Sequence, residues 1–168
     1  MHQRTCWGQD PMAMHCDDDA QTVAQDGVVD EVGSEWGLIQ LRYSPSCNAY
    51  WGRYTAPAGT RQILGASMMQ ASAGRVTAWV PGMESIPTAG SNPGPGGSSW
   101  SGMVADIGRG VCTGVEVVLS DANGDPGHMP GAPSRETLPW YWGPCVGTDD
   151  AGPNGLSTPG GGGGGNGW

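Results

Sequence analysis

Two residue types common in globular proteins, lysine and phenylalanine, are missing from this sequence. All seven basic residues among its 168 are arginines, set against 16 aspartate and glutamate residues, so the formal net charge is −9. Nucleic-acid binding draws most of its free energy from clustered cationic side chains. Because the arginines are scattered along the chain, we expect no nucleic-acid partner, and anionic membrane surfaces are disfavoured for the same reason.

Long apolar runs are also missing. No window approaches the roughly 18 consecutive apolar residues of a membrane-spanning helix, so no transmembrane segment is predicted. The segment Met1–Cys6 lacks the apolar stretch of a signal peptide. If the protein is exported, we expect its export signal to lie outside this sequence.

Motifs of catalysis are equally scarce. The sequence has no G-x-S-x-G elbow, and its three histidines, His2, His15 and His128, all lie in loop-like stretches. A catalytic base must be positioned on a rigid scaffold. We therefore predict no catalytic residues, and we expect the protein to be noncatalytic.

Metal-binding patterns do not fit this sequence either. The spacing of His2, Cys6, His15 and Cys16 matches no common zinc module. The segment 121–125 begins like a calcium loop, but a proline follows it where the loop needs glycine, and the required glutamate is absent. We predict no metal site and no cofactor.

Glycine and proline are abundant, with 31 and 14 residues respectively. Residues 121–168 are so rich in both that they cannot bury enough apolar surface to offset the entropy of ordering. We predict a β domain over residues 1–120 and a disordered low-complexity tail over residues 121–168. The aromatic island 138–145 is the part of the tail able to fold back, with Cys145 as its staple.

The region from Trp36 to Ser120 reads as short β-strands. Apolar and polar residues alternate over Trp36–Tyr43 and Val111–Leu119, with shorter β-like runs at Arg61–Ser67 and Arg75–Val80. The pattern predicts a mainly β fold, a small disulfide-stapled sandwich or barrel. The Pro/Gly/Ser-rich stretch 81–99 is predicted to be a mobile loop.

One short helix is predicted before the strands. The acidic run Asp17–Asp19 suits the positive end of a helix dipole better than a metal site. Ala20, Val23 and Ala24 then fall on one face at helical spacing. This pattern predicts a helix from Asp18 to Gln25.

Five cysteines, with wide and irregular spacing, indicate disulfides in an oxidising compartment. We predict one bridge between Cys47 and Cys112 and a second between Cys6 and Cys16. Pairing of Cys6 with Cys145 is the alternative. Since five is odd, at least one thiol lacks a partner within the chain, and Cys145 is either that thiol or an extra bridge partner.

Eight tryptophans supply the one positive indication of function. Exposed aromatic faces bind sugars and peptides by stacking and apolar contact. Trp36 and Trp51 are expected in the core. We predict a ligand-stacking surface formed by Tyr50, Tyr54, Trp79 and Trp100.

Two stretches resemble a known family. The first is Cys6-Trp7-Gly8-Gln9-Asp10-Pro11 with Cys16, Asp19-Ala20 and Thr22, and the second is Leu41-Arg42-Tyr43-Ser44-Pro45-Ser46-Cys47 with Ala49 and Trp51. They are similar to a family of actinobacterial domains of unknown function that are secreted or stand outside a membrane anchor. The resemblance, over about residues 6–119, implies an exported disulfide domain and carries no established activity. Gln9 replaces the family's usual lysine, and an earlier family cysteine would fall at Met1.

Two functional hypotheses follow. The first is an extracellular or cell-surface module that binds cell-wall glycan, peptidoglycan or protein without catalysis. The second is a secreted hydrolase-like or toxin-like effector whose catalytic residues carry no recognisable motif.

Overall fold

A computed structural model describes residues 6–30, 33–58, 61–62, 68–92, 96–121 and 135–147. A 3₁₀ helix over Cys16–Asp19 precedes ten strands. The strands, in chain order, are β1 (Gln21–Val29), β2 (Glu35–Ser44), β3 (Ala49–Thr55), β4 (Arg61–Gln62), β5 (Met68–Trp79), β6 (Thr88–Asn92), β7 (Ser98–Ser101), β8 (Val111–Asp121), β9 (Arg135–Thr137) and β10 (Tyr141–Val146).

The strands form two antiparallel sheets, which confirms the predicted mainly β fold. The first sheet has the order β1-β2-β3-β7-β6, and the second has the order β10-β8-β5-β4, with β9 also pairing β8. A buried cluster of side chains from both sheets, including Ile39, Tyr54, Val76 and Val115, lies between them. The two sheets therefore pack face to face as a sandwich.

Each sheet also carries an apolar cluster on its outer face. The N-terminal segment, residues 6–20, covers the first sheet. Its contacts form an apolar cluster that includes Cys6, Trp51 and Trp100. On the second sheet, Trp79 and Trp142 pack around Cys112. Because alternate residues of a strand point to opposite faces, each side of the sandwich has a cluster of its own.

The strands predicted at Trp36–Tyr43 and Val111–Leu119 are confirmed as β2 and β8. The run Arg75–Val80 falls largely in β5, whereas most of Arg61–Ser67 lies outside the described residues. Trp36 and Trp51 are buried, as predicted for core residues. The alternation was informative because one face of each strand packs in the sandwich interior.

The helix predicted over Asp18–Gln25 is wrong. The helix covers only Cys16–Asp19, and Gln21–Val29 is an edge strand that pairs along β2. The acidic run does begin a helical turn, but pairing with β2 outweighs the local helical spacing that follows. Ala24, for example, packs against the buried Leu41 cluster.

The segment 81–99 is not simply a mobile loop, because it contains β6 and the start of β7. Its small residues are what the packing requires: a Cβ on Gly90 would lie 2.7 Å from the Trp100 ring. Glycine here admits the indole and does not signal irregular chain.

The aromatic island folds back onto the domain, as the sequence allowed. Residues Tyr141–Val146 form β10, which pairs with β8, and Leu138 N donates to Val117 O at 3.0 Å. The described part of the fold thus includes residues beyond 120, among them Arg135–Thr137 and Tyr141–Val146. Residues 122–134 and 148–168, which include most of the predicted tail and the calcium-like segment, lie outside the described residues.

Both predicted disulfide pairings are wrong. Cys16 is bonded to Cys47, and Cys112 to Cys145, while Cys6 is a buried free thiol. Cys47 belongs to the cluster outside the first sheet and Cys112 to the cluster outside the second. The sandwich itself therefore separates Cys47 from Cys112, and sequence spacing carries no information about that separation.

A half-buried carboxylate in β1 yields a prediction about stability. Asp26 Oδ2 is buried without a hydrogen-bond partner in the described part of the chain, and burial raises the pKa of this carboxyl. A raised pKa in the folded state means that folding is disfavoured as the group ionises, and that the full penalty is present at neutral pH. Asp26→Asn should therefore stabilise the protein at pH 7, by up to about 1 kcal/mol given the partial exposure.

Thermal unfolding measured at pH 7 and again below the ordinary aspartate pKa checks this expectation. At the lower pH both side chains are neutral, so the melting temperatures of wild type and variant should converge. A variant less stable than wild type at pH 7 would contradict it.

Candidate functional site: a tryptophan cleft

An open cleft lies on the outer face of the second sheet. It has a volume of about 530 Å³. Trp79 ends β5, while Trp140 and Trp142 stand at the start of β10, so two strands that flank β8 supply the aromatic rings. The lining residues are Thr77, Trp79, Gly82, Met83, Ser85, Trp140 and Trp142.

The three indole rings pack mainly edge to face. The ring centroids of Trp79 and Trp142 are 5.5 Å apart with an interplanar angle of 78°, and those of Trp140 and Trp142 are 6.0 Å apart at 87°. Trp79 and Trp140 are 6.4 Å apart at 45°. Such pairs are favoured by the ring quadrupoles and hold one another in place, so the aromatic wall is preformed.

Backbone and disulfide position these rings. The bridge between Cys112 and Cys145 joins two directly paired residues of β8 and β10. Next to it, a Cβ on Gly114 would fall on the six-membered ring of Trp140. Glycine at this position therefore lets the Trp140 indole lie directly on the backbone of β8.

The cleft is lined mainly by apolar groups, and the Arg109 guanidinium lies beside Gly82, one of the lining residues. Thr77 and Ser85 provide the hydroxyl groups among its lining residues, and none of the lining side chains is ionisable. Trp140 Nε1 is buried and has no hydrogen-bond partner within the described residues. A neutral ligand with an apolar face and a few polar groups suits such a surface.

The predicted stacking residues are not brought together. Of the four, only Trp79 lines the cleft. Tyr54 is fully buried between the sheets, and Trp100 is buried on the outer face of the first sheet, where its Nε1 donates to Asp10 Oδ1 at 2.9 Å. Tyr50 is half-buried against Tyr43, with ring centroids 4.6 Å apart.

Sequence reasoning missed Trp140 and Trp142 as site residues. Both belong to the aromatic island, which was noted for its composition but assigned to the tail. The signal available was the flanking Cys145, because a disulfide to the domain would fix the neighbouring tryptophans on its surface. Their proximity to Trp79 depends on β10 pairing with β8, which no local pattern reveals.

The two stretches that carry the family resemblance, around Cys6–Thr22 and Leu41–Trp51, are joined by side-chain hydrogen bonds on the first sheet. Asp19 Oδ1 accepts a hydrogen bond from Ser44 Oγ at 2.6 Å, and Asp19 Oδ2 accepts one from Ser46 N at 2.9 Å. The bond from Ser44, followed by that from Ser46, lowers the pKa of the Asp19 carboxyl. Arg42 Nη1 donates to Thr22 Oγ1 at 2.7 Å. These side chains tie the N-terminal segment to the sheet, which is a structural role.

Catalytic and metal chemistry find little support among the described residues. The His15 side chain is exposed and makes no hydrogen bond in the described ranges, and the adjacent Cys16 is held in a disulfide. Cys6, Cys16 and Cys47 bring three sulfur atoms within 4.8 Å of one another, but two of the three are bonded together. His2 and His128 lie outside the described residues.

Residues 4–114 match the family described as Protein of unknown function (DUF2690). The chain belongs to the DUF2690 family. No curated protein matches the chain, and no solved structure matches it. In the described part of this DUF2690 protein, no helix has the length and apolar character needed to cross a membrane.

The residues that match the DUF2690 family include only part of the cleft. Trp79 and Met83 lie within the matched residues, whereas Trp140 and Trp142 lie beyond them. The N-terminal unit built on Asp19 and Arg42 falls wholly inside the match. The cleft is therefore completed by a strand that follows the matched segment.

Proposed function

We propose that this protein is a noncatalytic extracytoplasmic module that binds a neutral glycan, cell-wall glycan included, in the tryptophan cleft. The observation that carries the proposal is the preformed wall of Trp79, Trp140 and Trp142 in a cleft whose lining side chains are all uncharged. Sugar rings present apolar C–H faces that pack on indole, while their hydroxyl groups bond to polar groups nearby. Thr77 and Ser85 line the same cleft and carry hydroxyl groups suited to such bonds.

An extracytoplasmic location is supported by the cysteines. Four of the five are paired in two disulfides, which persist in oxidising compartments and are rare in the cytosol. Cell-wall glycan lies in that same environment. Location and ligand class are therefore compatible with each other.

The competing proposal of a hydrolase-like effector has less support. A nucleophile needs a base within hydrogen-bond reach, and His15, the one histidine in the described ranges, makes no side-chain bond. The cleft itself offers two hydroxyl groups and no ionisable side chain. A binding role requires only aromatic surfaces and hydroxyl groups, which the lining residues of the cleft supply.

We expect Trp140→Ala to weaken glycan binding by tenfold or more, which corresponds to about 1.4 kcal/mol. Trp140 is the more exposed of the two tryptophans on β10, so its loss removes ligand contact with less damage to the core. The measurement is co-sedimentation of the protein with insoluble peptidoglycan, chitin and cellulose. Indole fluorescence titration with soluble fragments of any retained polysaccharide then gives the affinity.

Ile107→Ala is the matched control, because Ile107 is an exposed apolar residue that does not line the cleft. It should bind as wild type does. Failure of the wild-type protein to bind any of the polysaccharides, or equal binding by the wild type and both variants, would contradict the glycan proposal. Release of sugar fragments during incubation would favour the hydrolase-like alternative.

A further inference from the structure

Three sulfur atoms meet beneath the N-terminal segment, on the opposite side of the sandwich from the cleft. The Sγ atoms of Cys6, Cys16 and Cys47 all lie within 4.8 Å of one another, and all three residues are buried. Cys16 and Cys47 are bonded, and Cys6 is a thiol. A free thiol at this distance from a disulfide is the arrangement from which thiol–disulfide exchange proceeds.

The Cys6 thiol is held beside Cys47 in particular. Its Sγ donates a hydrogen bond to the Cys47 carbonyl at 3.7 Å. Trp51, Trp100 and Met103 surround the cluster. The thiol therefore has an intramolecular disulfide as its neighbour, while bulk solvent and external thiols are kept away.

We propose that Cys6, Cys16 and Cys47 form an internal exchange site, in which Cys6 replaces Cys16 as the disulfide partner of Cys47. The Cys6 thiolate attacks Cys47 Sγ, the bond between Cys6 and Cys47 forms, and the bond between Cys16 and Cys47 breaks. The electron pair leaves on Cys16 Sγ, which takes up the proton that Cys6 lost. No external oxidant or reductant is required.

The exchange changes how the N-terminal segment is fastened. In the described state the bridge anchors the 3₁₀ helix at Cys16 directly to the turn that holds Cys47. After exchange the covalent anchor moves to Cys6, and residues 7–20 are held by packing and by bonds such as those of Asp19. The site would thus loosen this segment without releasing the chain.

The pH dependence of the exchange follows from the environment of Cys6. Burial raises the pKa of the Cys6 thiol, and only the thiolate attacks a disulfide. The acidic residues that follow Cys6 in the N-terminal segment, Asp10 and Asp17–Asp19, do not favour a thiolate. Exchange should be slow at neutral pH and faster at alkaline pH.

Labelling of the wild-type protein tests the proposal directly. Samples held at alkaline pH are quenched with acid, unfolded in guanidinium, alkylated with a maleimide and mapped as peptides without reduction. We expect label on Cys16 as well as on Cys6, in roughly a tenth of the molecules or more. Label confined to Cys6 would overturn the proposal. The bridge between Cys112 and Cys145 is the internal reference, because the described free thiol lies in the other cluster.

A pair of variants tests the geometry. In Cys16→Ser, refolded with oxidised and reduced glutathione, we expect Cys6 and Cys47 to form a bridge. In Cys6→Ser with Cys16→Ser, Cys47 has no partner in its cluster, so the melting temperature should fall below that of the single variant. A folded single variant with both thiols free would overturn the proposal, and if neither variant folds, the wild-type labelling result decides it.

Discussion

A chain that ends at Ser120 is expected to lose the cooperative unfolding transition of the intact protein. This truncation removes β9 and β10, leaves Cys112 without its disulfide and withdraws Leu138 and Tyr141 from the main core cluster. Loss of a native disulfide from a small domain costs about 2–5 kcal/mol. Domains of this size are stable by only about 5–15 kcal/mol, so the remaining core should not hold a unique fold.

Far-UV circular dichroism and thermal melting check this expectation. A chain that ends at Gly147 is the matched control: it keeps every described strand and removes a segment whose composition buries little apolar area. It should melt cooperatively near the wild-type temperature. A Ser120 chain that melts cooperatively at that temperature would show that β10 is an accessory strand. Cys145→Ser then separates the contribution of the disulfide from that of the strand.

Gly52→Ala is expected to destabilise the protein by roughly 3 kcal/mol, at the upper end of the range for overpacking. A Cβ on Gly52 would fall directly on Thr113 Oγ1 and within 2.9 Å of Val76 Cγ1. Gly52 lies in the first sheet and both neighbours lie in the second, so a single methyl group would force the sheets apart. Both neighbours are β-branched and buried, and their side chains have little freedom to move.

Chemical denaturation at constant pH measures this effect. Gly27→Ala is the matched control, because a Cβ there meets only the end of the Glu35 side chain, at 3.3 Å. The double variant Gly52→Ala with Thr113→Ala removes the blocking hydroxyl and should recover part of the loss. Equal stability of Gly52→Ala and Gly27→Ala would contradict the close approach of the sheets at this point.

The strands could be predicted where local pattern and tertiary packing agree. Trp36–Tyr43 and Val111–Leu119 alternate because one face of each packs against the opposite sheet. The segment Gln21–Val29 misled because its helical spacing is a local property, whereas its structure depends on pairing with β2. The stretch 81–99 was predicted to be a loop for a similar reason. Its Gly90 makes room for Trp100, which lies on the neighbouring strand, and this contact is not visible in the local sequence.

The site was harder to predict than the fold. Trp79 was identified by residue type alone, and Tyr54 and Trp100 were placed with it because aromatic residues in strands face either way until the register is known. The predicted disulfide pairings were wrong for the same reason, because they too depend on which way each strand faces. Cys112 faces away from the interior, and its partner could be assigned only once β10 was seen to pair with β8.

The strand order has a consequence for how the protein must be made. The strand β5 pairs along most of its length with β8. In the sequence these two strands are separated by β6 and β7, which belong to the other sheet. A chain that emerges from its amino terminus can complete the β1-β2-β3 meander early, but β5 then waits without its main partner. An unpaired strand edge is open to association with other chains. The bond between Cys112 and Cys145 can close only after β10 has emerged, so this disulfide forms late in synthesis at the earliest.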